Sequence, residues 1–180
     1  MKFLTFTLFL AVSSSAYADK KCIISLKDLS FTTPKSENII NTFWQDDREA
    51  GEAVKRLFIA YKDGSSAVIK HRFCDTYKFE VAYYMEEQNR PTSTDDIKNK
   101  LNEFLPYIAH KDNMQKKAVN SMLTKLAEQQ FDQGEIIGAT YNGYESVYGD
   151  TSYSILYFPI NYSSLHSASI NMDVGIGGIH

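Results

Sequence analysis

What the chain lacks narrows its class first. Beyond the N-terminal segment no window approaches the roughly 20 consecutive apolar residues of a membrane-spanning helix, so no transmembrane segment is expected in the mature chain. Clustered basic charge is missing as well. Lys20-Lys21 and Lys116-Lys117 are isolated pairs, and 22 acidic residues face 19 basic ones, which opposes the counter-ion release that nucleic-acid binding depends on. Catalytic signatures are absent: no His-Glu-x-x-His, no Gly-x-Ser-x-Gly elbow, no P-loop and no calcium loop. No metal or cofactor is expected, and the balance leans away from an enzyme. Linkers rich in Pro, Gly and Ser are missing too, and no internal repeat is visible, so one domain is expected. With 43% apolar residues the composition is not that of a disordered chain.

The N-terminus reads as an export signal. Lys2 is the basic start, Phe3 to Val12 the short apolar core, and Ala16-Tyr17-Ala18 the small-x-small end before a cleavage site. Residues 1–18 are therefore expected to be removed and residues 19–180 to form a single domain in the periplasm or outside the cell. Lys2 leaves with the signal, so the mature chain would carry 18 basic against 22 acidic residues, a formal charge of −4. Both cysteines, Cys22 and Cys74, lie in the exported part. An oxidising compartment favours a disulfide between them, and closing that loop of 52 residues would stabilise by roughly 4 kcal/mol.

Local patterning predicts an α+β fold. Helices are expected from Ser36 to Trp44, from Asp46 or Asp47 to about Lys62, from Ser93 or Thr94 to Leu105, and from Asn113 to Gln130. In the second, Ala50, Ala53, Val54, Leu57, Phe58 and Tyr61 recur at helical steps. Acidic residues Asp46, Asp47, Glu49 and Glu52 would then face a helix N-terminus. Period-two alternation in Ile69, His71 and Phe73, then Tyr77, Phe79, Val81 and Tyr83, predicts a half-buried strand or a hairpin turning near Asp75-Thr76, with His71 as a packed core residue. An opening strand is expected over residues 21–29. In the last third, Asn142-Gly143 and Gly149-Asp150 are turn signals dividing strands 135–141, 144–148 and 151–160, with a fourth strand near Ser169 to Val174. The expected architecture is an antiparallel sheet, the C-terminal meander plus N-terminal strands, covered on one face by amphipathic helices and closed by one disulfide.

That register gathers Tyr144, Tyr148, Tyr153 and Tyr157 on one face, where they serve either as the rim of the core or as an aromatic platform for a partner. A binding face for a protein partner is the expectation carried forward. The sharpest form of it is an inhibitor or immunity-type protein that blocks an exported enzyme. A ligand pocket or hydrolase between sheet and helices, and an envelope-assembly role by strand addition, are the alternatives.

Overall fold

The computed structural model describes residues 31–49, 51–74, 77–108, 138–143, 151–160 and 165–176. Among these, seven strands form one antiparallel sheet: β1 (Ile39–Glu49), β2 (Glu52–Tyr61), β3 (Ser66–Phe73), β4 (Tyr77–Met85), β5 (Gly138–Gly143), β6 (Thr151–Pro159) and β7 (Ala168–Ile176). The order across the sheet is β1-β2-β3-β4-β7-β6-β5. Two meanders therefore meet at the β4–β7 pair, in the middle.

Alternation builds the two faces. In β3, Ala67, Ile69, His71 and Phe73 are buried, while Ser66, Val68, Lys70 and Arg72 are partly exposed. The register carries this split across every strand. One row runs Trp44, Leu57, Ile69, Val81, Met172, Ile155, and belongs to the core face. The adjacent row runs Phe43, Phe58, Val68, Ala82, Asn171, Leu156, Gly138, and belongs to the other face. On the core side, Ile97, Leu101, Phe104, Leu105 and Ile108 join the buried cluster of β2, β3, β4, β6 and β7.

These last residues come from the one α-helix described, α1 (Thr94–Asn102), and from the 3-10 turn Leu105–Tyr107 that follows it with its flanking Phe104 and Ile108. Ser93 accepts the Asp96 N–H through its hydroxyl, and the Asp96 carboxylate accepts the Ser93 N–H in return. This is a reciprocal cap that fixes the helix start. Pro106 then stands where an α-helix cannot continue.

The expectation of several helices covering a sheet is overturned. Residues 36–44 and 46–62, expected as helices, supply β1 and β2 instead. Both faces of β2 carry apolar side chains, Val54 and Phe58 on one and Ala53, Leu57 and Ile59 on the other, and this doubled pattern imitates helical spacing. Gly51 settles the matter locally, because Glu49 pairs with Glu52 and only residues 50 and 51 remain for the turn. Its φ of 85° is the left-handed geometry that such a turn requires and glycine adopts without strain.

The C-terminal register also differs from expectation. Asn142-Gly143 lies inside β5 rather than in a turn, and β5 pairs directly with β6, Tyr141 opposite Tyr153. The strand expected at 144–148 lies outside the described residues, as do the strand at 21–29 and the helix at 113–130. The fourth C-terminal strand is present as β7, and it joins the two meanders. Only one of the two cysteines, buried Cys74 at the end of β3, is among the described residues, so no bridge is described within them. Among the described residues no helix is long and apolar enough to cross a membrane.

Candidate functional site

Residues singled out in the sequence fall into different places. Tyr144 and Tyr148 lie outside the described residues. Tyr153 lies in β6, paired with Val174 of β7. Tyr157, 3% exposed, is part of the buried cluster, which leaves it no surface to offer a partner.

His71 is fully buried on the core face, ringed by Phe31, Trp44, Phe73, Tyr77 and Phe79 at centroid distances of 5.1 to 6.2 Å. Its Nδ1 lies 3.0 Å from the Tyr77 hydroxyl, and its Nε2 has no hydrogen-bond partner among the described residues. Burial, with a smaller contribution from the Lys55 ammonium, pushes the imidazole pKa down to about 3. A neutral, packed imidazole is a core residue, as its place in the alternation predicts. Among the described residues no group of three His, Cys, Asp or Glu side chains has metal-ligand geometry.

The acidic group meets no helix N-terminus, because β1 and β2 stand there. Instead it joins cross-strand ion pairs. On the face opposite the core, Glu49 accepts from Arg56, from Lys70 at 2.7 Å and from Arg72 at 2.9 Å. Lys70 and Arg72 also reach Glu80, each at 3.3 Å. The hydrogen bond from Lys70 is the main influence holding the Glu49 carboxyl below its usual range, and Arg56 does the same for Asp47. On the core face, the Lys55 ammonium bonds Asp46 at 2.6 Å and lies over the rings of Phe31 and Trp44.

Next to this charged band the same face is apolar. A shallow groove of about 400 Å³ is lined by Phe43, Phe58, Val68 and Tyr84, with Ser66 and His166 at one end. His166 Nε2 is 3.5 Å from the Ser66 hydroxyl, and the His166 ring lies 5.6 Å from that of Tyr84. Phe43 rests against Phe58 at 6.0 Å and is still 58% exposed. It stands on β1, which pairs with β2 alone, so the outer edge of this 11-residue strand faces no other described strand. A bulge at Ile40 interrupts the register, and Ile40 is 66% exposed.

Edge and groove together form the candidate site: a strand edge that faces no other described strand on one side, and exposed aromatic surface beside it. Sequence reasoning missed it because β1 was read as a helix. The Glu-Ala-Gly-Glu stretch at 49–52, a glycine inside an expected helix, was the signal that could have found it. No protein-family model, no curated protein and no solved structure matches the chain.

Proposed function

We propose that the chain is an exported protein-binding domain that engages its partner along β1 and the adjoining open face, in the manner of an inhibitor or immunity-type protein that occludes an exported enzyme. The observation that carries this reading is Phe43, a large exposed aromatic on the outermost strand beside an apolar groove. An edge strand presents a row of N–H and C=O groups to which an extended segment can add, and pockets beside it select the incoming side chains. Soluble domains commonly guard such edges with charge. β1 carries charge over Asp46 to Glu49 only, while Ile39 to Trp44 are mainly apolar.

A photo-crosslinking residue at position 43 of the mature domain, irradiated in the envelope fraction of its own organism, should trap one protein. The same residue at Asp95, exposed on α1, should not. With the trapped protein purified, Phe43→Asp should weaken binding by about 30-fold or more, the scale of an interface hot spot. Equal trapping at both positions, or none at position 43, would overturn the proposal.

A further inference from the structure

A second site lies away from the groove and shares none of its lining. Where the start of β1 and the end of β2 approach α1 and the turn after it lies a half-open hollow of about 660 Å³, within the roughly 300–1,000 Å³ of small-molecule sites. Tyr61, Tyr107, Lys100 and Glu103 line it, and Asn38, Lys62 and Asp63 stand exposed at its rim. Partner binding at β1 makes no use of these groups.

Three of its charged side chains are already answered within the protein. Lys100 donates to Glu103 at 3.2 Å, and its ammonium lies 5.9 Å from the Tyr61 ring centroid and 4.9 Å from that of Tyr83. Asp63 accepts from the Ser65 N–H at 3.0 Å and from the Ser65 hydroxyl at 2.5 Å. The lining thus holds two ammonium groups, Lys62 and Lys100, against two carboxylates, Asp63 and Glu103. Neither an anion nor a cation gains a net electrostatic advantage there.

Polar capacity nevertheless remains. Burial, then the nearby Glu103, pushes both phenols above their usual pKa, so Tyr61 and Tyr107 stay protonated and can donate. Each carboxylate has a second oxygen that can accept, and the Asn38 amide can do both. The lining thus offers both donors and acceptors beside the rings of Tyr61 and Tyr107. Such a lining suits a ligand whose groups donate and accept together on a ring with apolar C–H faces.

We propose that this cavity binds a small neutral saccharide. Calorimetric titration of the mature domain with glucose and with maltose should show saturable binding of at least one, while glucose 6-phosphate and choline should bind more weakly. Tyr107→Phe keeps the ring and removes the donor, and should weaken the bound sugar about tenfold with little change in melting temperature. Asn38→Ala, at the exposed rim, reads the same site without touching the core and should also weaken it. The proposal is overturned if neither neutral sugar binds saturably, if the phosphorylated sugar or choline binds more tightly, or if both variants keep full affinity.

Discussion

A histidine enclosed by aromatic rings cannot gain a proton without losing packing, and His71 makes stability depend on pH. Its folded pKa of about 3 lies below the value of about 6.5 expected in the unfolded chain. The unfolded state therefore takes up the proton first as pH falls. Stability from this group is complete above about pH 6.5, declines between about 6.5 and 3, and is flat below, with a total of at most about 5 kcal/mol. Urea unfolding across that window should show the loss, and His71→Phe should remove most of the slope between pH 6.5 and 5, where few carboxylates titrate. Tyr157 gives a companion measurement at the same scale. As a buried core aromatic its truncation to alanine should cost about 3 to 5 kcal/mol of folding stability, read from the shift in urea midpoint. A change smaller than about 1 kcal/mol would place the ring outside the core.

At the scale of elements, the turns show how much of the fold one residue can decide. Gly51 and Gly64 both have positive φ, 85° and 82°, but different surroundings. A Cβ on Gly51 would meet nothing within 4 Å, whereas on Gly64 it would collide with the Glu86 carboxylate. Gly51→Ala should therefore cost only the backbone strain of about 1 kcal/mol, and Gly64→Ala measurably more. Adding Glu86→Ala to the second variant should recover the excess and leave the backbone cost; thermal melts of the four proteins would measure this. The hairpin of β3 and β4 was legible because its strands alternate cleanly, polar against buried, from Ile69 to Tyr83. β1 and β2 were not legible, since apolar residues on both faces of β2 defeat the period-two signal. In the C-terminal third, Asn142-Gly143 is a strong local turn signal that loses to pairing: in β5 both residues are held opposite Ser152 and Thr151.

For the molecule as a whole, the sheet order sets a gradient of stability. β3, β4 and β7 each have partners on both sides and lie farthest from the edges, while among the described strands β1 and β5 are paired on one side only. Native-state hydrogen exchange should be slowest in these three strands, near the global unfolding limit, and fastest in the edge strands β1 and β5. Comparable protection in β1 would mean that its outer edge is covered in solution, and would count against partner binding there. Fractionation with N-terminal sequencing should find the processed chain outside the cytoplasm and beginning at Asp19. A cytoplasmic chain that retains residues 1–18 would remove the premise that its partner is an exported protein.

Taken by itself, the sequence was sufficient for features decided by near neighbours in the chain. These include the alternation that buries His71 and the cap at Ser93 that starts α1. Each depends on side chains within a few residues of one another, so local chemistry outweighs everything else. The export reading rests on equally local evidence, the segment from Lys2 to Ala18. Tertiary structure alone decided that residues 39–61 form two strands, that β7 joins the meanders, and that Phe43 stands at an open edge. A strand gains its hydrogen bonds only from a partner that can be a hundred residues away, as Tyr77 is from Ile176. Exposure depends on what lies at the end of the sheet, and no local pattern records that.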